Sequence, residues 1–497
     1  MIEHTIDIPI DVPLLPYKVV SAGDLTMIYE AGNLRYIKCG DIELIRMIYG
    51  AVRDENWETI IPTITDEVWR ESEDSISIHY TALYTREDLQ YQGEFAIDID
   101  RNNSITISMK GTALNSFKKN RIGLCVLHPL IECKGKKATI EKPTGEVYEA
   151  AFPGLVSPHQ PFKDIRNMQW EAAEGLQVHL AFEGDIFETE DQRNWGDSSY
   201  KTYSTPLDLP LPVLVNQDET ILQQVTLTVT GNTKPKIEKT PSIKSLDNTI
   251  VLPAIGYCRP ANMLSGEPTN QLQKKAIHHW RVELRLDDMY WQNELMKVAE
   301  EATMLKTKLE LILFFSENNE QQLQLFVQQL KLVAPNVYSI LLLHKDDNTT
   351  PGKLMQQGYE IIKAAHPFIK VGYGTDGFFA ELNRNRPGCL PHDFVSFSLT
   401  PMVHTRDTRS IIENLDCQPD IIKTIRSFTD KEIHISPLTI KMRSGIHATN
   451  VPGYLDINGD WLSNTNFTAA WIAFAIQELS GVNSITIALT SFITNPA

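Results

Sequence analysis

The chain has no basic run. Its 497 residues hold 46 Lys and Arg against 63 Asp and Glu, a formal charge of −17. The densest basic spots, KKNR (118–121) and KGKK (134–137), are no longer than solvated turns. A nucleic-acid binder needs a cationic face to displace counterions, so neither nucleic acid nor an anionic membrane is expected as a partner. No run of about 18 apolar residues occurs, which excludes a membrane-spanning helix. The first residues, MIEHTIDIPIDVPLLPYK, have no basic start and no continuous apolar core, so no signal peptide is expected. The six cysteines, Cys39, Cys125, Cys133, Cys258, Cys389 and Cys417, are scattered, with no C-x-x-C. That is the usage of reduced thiols in a cytoplasmic protein.

Several catalytic signatures are missing as well. There is no G-x-S-x-G, hence no nucleophile elbow of the α/β-hydrolase kind. There is no H-E-x-x-H or H-x-H, hence no evident zinc site. Asp287, Glu317 and His404 could together hold a metal, but the expectation is no metal and no cofactor. GYGTDG (372–377) fits G-x-G-x-x-G. It lies on the fifth strand of its half and precedes only a short helix, whereas the dinucleotide fingerprint belongs on the first strand of a βαβ unit. HH at 278–279 points two rings in different directions ahead of a strand and reads as structural.

What is present divides into two rhythms. Residues 1–235 alternate with period 2, as in ISIHYTALYT, GEFAIDID and LQVHLAFEG, with turn residues between. This predicts an all-β sandwich. A stretch rich in Lys, Pro, Thr and Ser follows, and residues 236–250 are assigned as linker. From 251 to 497, eight apolar strand candidates alternate with amphipathic helical stretches: 255–259, 281–288, 309–316, 337–345, 369–374, 394–399, 432–438 and 484–489. Eight β-α repeats in about 250 residues predict a (β/α)₈ barrel of the TIM type, favoured over a doubly wound open sheet. The chain is therefore expected to be multidomain, β plus α/β. Few residues follow the eighth strand, so its helix is expected to be missing.

Barrel sites lie at the carboxyl ends of the strands. Strand two ends in Asp287 and Asp288, strand three in Ser316 and Glu317, and strand four in His344, Lys345, Asp346 and Asp347. Strand five ends in Gly374 and Asp376, strand six runs into His404, Arg406 and Asp407, and strand seven into Lys441 and Arg443. Loops hold many charges in any case, and Asp288 and Asp407 have the alternative reading of helix caps. Common barrel glycosidases place their two acids after strands four and seven. Strand seven here brings no acid, which counts against that chemistry.

Five segments carry a more specific signal: LRYIKCGDIELIRMIYGAVRDENWETIIP (34–62), IGLCVLHP (122–129), FETEDQRNWGDSSYKTYSTPL (187–207), GTDGFFAELNRNRP (374–387) and SLTPMVHTRDTRSIIENL (398–415). Together they resemble the D-apionate lactonase family over residues of about 30 to 480. The resemblance implies hydrolysis of D-apionolactone to D-apionate in bacterial apiose catabolism. It also implies a β domain, a barrel, a further C-terminal part and an acidic residue near the end of strand eight, where SITIALTSFITNPA has none. Matching residues are Arg53, Asp54, Asn56, Trp57, Glu188, Glu190, Asp191, Gln192, Arg193, Asn194, Trp195, Asp197, Lys201, Thr202, Tyr203, His404 and Asp407, carried over as site candidates without roles.

Residues 187–203 combine six charges with four rings. They read either as a β-domain loop closing over the barrel mouth or as a seam in which the groups pair with one another. Carboxylates, Arg and Lys can grip hydroxyls, and a Trp can stack on a sugar. Opening a lactone needs a base for water, donors for the oxyanion and an acid for the leaving ring oxygen. The expected catalytic set is Glu317 or Asp287 as base, Arg443 and Lys441 at the oxyanion, and His404 as acid. Glu188, Asp191, Arg193, Asn194, Trp195, Asp197, Lys201, Asp288, Asp376 and Asp407, again with Lys441, are the expected substrate-binding residues. The expected partner is a small-molecule sugar lactone, and the sequence leaves the oligomeric state unknown. Two other classes stay open: a glycoside hydrolase using Asp346 or Asp287 with a loop acid such as Glu188, and a non-catalytic carbohydrate-binding protein.

Overall fold

A computed structural model describes residue 12 and residues 14–231, 252–259, 277–441 and 465–488. The chain forms two compact units. One comprises Leu14–Arg193 and Ser198–Leu246, and the other Met1–Pro13, Asn194–Asp197 and Asp247–Ala497. Four residues from between two strands of the first unit therefore group with the second. The assigned linker, 236–250, lies outside the described residues, as do Arg443 and residues 489–497.

The first unit is two nine-stranded sheets in which every described pairing is antiparallel. Alternation explains it. In Leu89–Asp100 and Ser75–Arg86 every second residue is buried, so Ile76, Ile78, Tyr80 and Ala82 line one face and polar residues the other. The other sheet runs in the order Lys18–Ala22, Leu25–Glu30, Asn33–Cys39, Ile42–Asp54, Phe117–Pro129, Ser199–Tyr203, Phe187–Asp191 and Phe162–Ile165. Its central strands are buried on both faces, and the outward face carries charge. The two sheets meet through rings: His128 lies 5.4 Å from Trp170, and Tyr80 donates to the Gly32 carbonyl at 2.7 Å.

The second unit is a closed parallel barrel of eight strands: Ala254–Cys258, His279–Arg285, Lys308–Phe315, Val337–His344, Lys370–Phe378, Phe394–Leu399, Glu432–Leu438 and Ser484–Ile487. The first strand pairs with the eighth, Gly256 opposite Thr486, and closes the ring. The sandwich and the TIM-type barrel are thus as the sequence predicts. Helix Trp291–Leu305 covers the barrel with Trp291, Leu295, Val298, Ala299 and Ala302, an i, i+4, i+7, i+8, i+11 stripe. Each large apolar side chain so enclosed contributes about 1.5–3 kcal/mol. All of GYGTDG lies in or against the fifth strand, Lys370–Phe378, rather than in a turn. A Cβ on Gly374 would stand 2.0 Å from the Ser396 carbonyl oxygen, so this glycine serves close strand approach, not a pyrophosphate. No described helix is long and apolar enough to cross a membrane.

Two enclosed histidines make stability depend on pH. Burial pushes His128 from 6.5 down to about 3, and His279 down to about 4. Below 6.5 the unfolded chain takes up protons at these positions before the folded chain does. The stability they add is therefore whole above pH 6.5 and is lost as pH falls from there toward 4 for His279 and 3 for His128, at about 1.4 kcal/mol per pH unit per histidine. Urea midpoints measured from pH 7 down to 4.5 should fall less steeply for His128→Gln than for the unsubstituted protein. Identical slopes would contradict the assignment.

Candidate active site

A buried guanidinium organises the barrel interior. Arg281, on strand two, donates from Nε to Ser436 Oγ on strand seven at 2.9 Å and from Nη2 to Asp376 Oδ1 on strand five at 2.5 Å. Its Nη1 donates to Glu283. Strands two, five and seven are not neighbours, so these side chains meet through the interior. Ser436 Oγ donates in turn to Glu310 Oε2 at 2.9 Å, and Thr486 Oγ1 donates to the same oxygen at 2.5 Å. Burial alone would lower the Arg281 pKa, but Glu283 and Asp376 outweigh it and raise it. Side-chain exposure climbs from 1 % at Glu310 and 3 % at Arg281 to 18 % at Asp376 and 25 % at Glu283. The network thus opens toward the carboxyl ends of the strands with two accessible carboxylates on one arginine.

The second feature follows strand six. His404 Nδ1 lies 2.6 Å from Asp197 Oδ2, and Asn414 Nδ2 donates to Asp197 Oδ1 at 3.1 Å and to the Pro401 carbonyl at 2.8 Å. Asp197 is 5 % exposed, so its charge is held by named donors rather than by water. A carboxylate on Nδ1 fixes the tautomer and aims Nε2. The Trp195 ring stands edge-on to His404 and to Phe378, each at 6.0 Å, and the Arg384 guanidinium lies 5.5 Å from it. Asn383 Nδ2 donates to Asn194 Oδ1 at 2.9 Å. Gly196 makes the approach possible. Its φ is +87°, and a Cβ there would lie 2.8 Å from the Thr400 carbonyl oxygen.

The expected residues separate into three groups. Asn194, Trp195, Asp197 and His404 come together as just described, and Asp376 sits on Arg281. Glu317, Asp287 and Asp288 are exposed. Glu317 and Asp287 have no hydrogen bond or ion pair among the described residues, and Asp288 accepts from Tyr290 N at 2.8 Å just ahead of a helix. Asp407 is an N-cap, accepting from Ser410 N at 2.9 Å, with Thr405 Oγ1 at 2.6 Å. Lys441 is half-buried after strand seven.

The remaining four lie in the β unit. Glu188 accepts from Tyr203 Oη at 2.6 Å and Leu207 N at 2.8 Å. Arg193 grips Asp191 through Nε at 2.9 Å and Nη2 at 2.7 Å, with both side chains fully enclosed. Its other bonds reach the carbonyls of Pro153 at 2.8 Å and Gly154 at 3.2 Å, while Asp191 accepts from Ser157 N at 2.9 Å. This pair pins the 153–157 segment. Burial still raises the Asp191 pKa in spite of Arg193. Lys201 Nζ lies 2.5 Å from Glu190 Oε1.

Arg281, Glu283 and Glu310 are absent from the sequence-based candidates. The signal was there: RVELR places charge at alternate positions of an otherwise apolar strand, the period that sends side chains into a barrel interior. Among the described residues no group of three or more His, Cys, Asp or Glu is arranged to hold a metal ion.

A β sandwich and a TIM-type barrel, the barrel unit with a carboxylate-bound histidine and an arginine-bridged carboxylate pair, give a site that can move a proton and accept hydroxyl hydrogens. The comparisons with known proteins make this particular. The model for the D-apionate lactonase N-terminal domain matches residues 9–232, and that for the D-apionate lactonase TIM barrel domain matches residues 260–493. The chain belongs to the D-apionate lactonase family. It is 28 % identical to the D-apionate lactonase of Brucella anthropi over 514 aligned positions, covering 96 % of this chain and 82 % of that protein. Among solved structures, an endo-1,4-beta-D-mannanase from Thermotoga petrophila is similar at TM-score 0.33 and 11 % identity, covering 48 % of this chain and 88 % of that one. Galactose 1-epimerase from Lactobacillus acidophilus is similar at TM-score 0.29 and 8 % identity, covering 44 % and 100 %. Likeness at that level identifies neither fold nor activity.

Removing one partner of a buried ion pair leaves the other charge unmatched. Asp191→Ala should therefore destabilise the β unit by about 3–5 kcal/mol in urea unfolding. Unchanged stability with lost substrate affinity would return Asp191 to the substrate.

Proposed function

We propose that this protein is a sugar-lactone hydrolase that opens D-apionolactone to D-apionate in apiose breakdown. The observation that carries the reading is the match of both halves of the chain to one lactonase family. The Asp197–His404 pair supplies chemistry that suits it. Asp197 keeps Nδ1 of His404 occupied, so Nε2 takes a proton from water as the water oxygen attacks the lactone carbonyl carbon. The oxyanion that forms is met by the ammonium of Lys441. When the intermediate collapses, the bond from carbonyl carbon to ring oxygen breaks, and Nε2 returns its proton to that oxygen. The carboxylic acid product then ionises and releases one proton to solvent.

The base role passes to His404 from Glu317 and Asp287, because nothing described positions those two. Glu283 and Asp376, each paired with Arg281, accept hydroxyl hydrogens of the sugar. Trp195 offers an apolar edge beside the histidine.

Proton release in weakly buffered solution, with the enzyme-free rate subtracted, tests the reaction. Release should be proportional to enzyme and selective for D-apionolactone over glucono- and galactonolactone. His404→Ala and Asp197→Asn should lower kcat by about 10²–10⁴-fold with the fold intact. Gly196→Ala should also lower kcat, since the added Cβ meets the Thr400 carbonyl and shifts Asp197 from His404 while both side chains stay chemically unchanged. A loss of the same size in Glu317→Gln would return the base role to Glu317. No release above background from folded protein would sink the reading.

A further inference from the structure

One face of the first sheet gathers cations that do not cancel. Alternation along Ile42–Asp54, Phe117–Pro129, Ser199–Tyr203 and Phe187–Asp191 sends Leu124, Val126 and Thr202 to one side and Arg53, Arg121, Lys201 and Glu190 to the other. Arg53 and Arg121 are directly opposite on paired strands, and so are Lys201 and Glu190. Like charges so placed repel. Exposure is 8 % at Arg53, 3 % at Arg121 and 3 % at Lys201, so water does little to relieve them.

The partners are unequal to the charge. Glu190 is taken by Lys201 at 2.5 Å, and Glu188 by Tyr203 Oη and Leu207 N. Arg53 directs Nε and Nη2 to the Trp57 carbonyl at 2.9 and 2.5 Å. The Arg121 side chain makes no hydrogen bond or ion pair among the described residues, and its Nε is enclosed without a partner. Its guanidinium lies instead 3.6 Å from the Tyr203 ring centroid and 5.4 Å from that of Trp57. Burial, reinforced by Arg121, lowers the pKa of Arg53 and of Lys201. Burial would raise Glu190, but Lys201, Arg121 and Arg53 overcome it and hold it low.

The neighbouring loop is strained in a way that keeps an aromatic ring here. Trp57 has φ +66°, unusual for a bulky residue. Arg53 holds its carbonyl, Trp57 N donates to the Asp54 carbonyl at 3.2 Å, and Asp54 Oδ1 accepts from Asn56 N at 2.9 Å and Glu58 N at 2.8 Å.

We propose that this face is a binding site for the carboxylate of a small polyol acid, with Arg121 as its principal partner, Arg53 and Lys201 flanking, and the Trp57 ring against the carbon chain. A planar guanidinium with open N–H groups matches a carboxylate. Choosing an aldonate as that acid rests on the lactone-hydrolase reading. A neutral lactone gains little from three cations, whereas its acid gains charge pairing and hydrogen bonds. The site therefore takes the product of the reaction rather than its substrate.

Titration calorimetry with sodium D-apionate tests this, with inorganic phosphate and a neutral polyol, xylitol, as comparisons. D-apionate should bind the unsubstituted protein and Asp197→Asn alike, and Arg121→Met should weaken it by about 10-fold or more. Xylitol should not bind measurably. If Arg121→Met alters the circular dichroism, Trp57→Ala decides, because its half-buried loop position spares the sheet. Trp57→Ala should weaken D-apionate binding, and unchanged affinity there would overturn the site. Equal affinity in a folded Arg121→Met, no binding to the unsubstituted protein, or phosphate binding in place of D-apionate would each overturn it too. Binding through Arg121 in a protein that opens no lactone would uphold the site and remove the reaction. Turnover with binding indifferent to Arg121 would do the reverse.

Discussion

A guanidinium enclosed inside a barrel loses several kcal/mol of solvation, and Arg281 regains it only because three different strands supply acceptors. Glu283, Asp376 and Ser436 each take one direction of the fork, so the position of every one is tied to the others. Ser436 passes the constraint to Glu310, and Glu310 to Thr486 on the last strand. Apolar packing closes the barrel, but it does not specify which oxygen points where. The arginine does, and it leaves two carboxylates at the open end in fixed relation. Acceptors fixed in this way need no rearrangement before they take a hydrogen bond.

The same physics separates two kinds of buried charge in the β unit. Asp191 and Arg193 are fully enclosed, and their bonds run to each other, to backbone carbonyls and to a backbone N–H. Such a pair is structural scaffolding. Arg121 is almost as buried and has rings where acceptors would be. Composition does not tell the two arginines apart; the count of acceptors around each does. Buried polar groups are nearly always bonded, and Arg121 departs from that rule with the Tyr203 ring against its guanidinium.

This also explains what could be read from the sequence. Both architectures were legible because they rest on period: alternation in residues 1–235, and strand then helix after 251. His404, Asp197 and Asp376 were reachable from strand-end position and family pattern. Glu317 and Asp287 were chosen by the same strand-end argument, yet they lie exposed, because position at a strand end says nothing about partners. Asp407 went to a helix cap, a role open to any Asp ahead of a helix. Arg281 and Glu283 were passed over because charges inside a strand look like solvent-facing ones until the barrel closes. The segment 187–203 reads as one block of charge and rings, but its members have divided loyalties that no local pattern encodes.

That division bears on how the histidine is held. Only Asn194–Asp197 of the segment groups with the barrel, and Asp191 and Arg193 on one side and Ser199–Tyr203 on the other belong to the sheet. Four residues are too few to carry their own core. Their geometry comes from Asn383 and Asn414 within the same unit, and from a glycine whose missing side chain lets the chain come within contact of Thr400. Orientation of His404 is then a property of the barrel unit's packing around Asp197 rather than of a free loop. In the proposed role of general base, a histidine held this way has its ordering cost met on folding instead of at each substrate encounter.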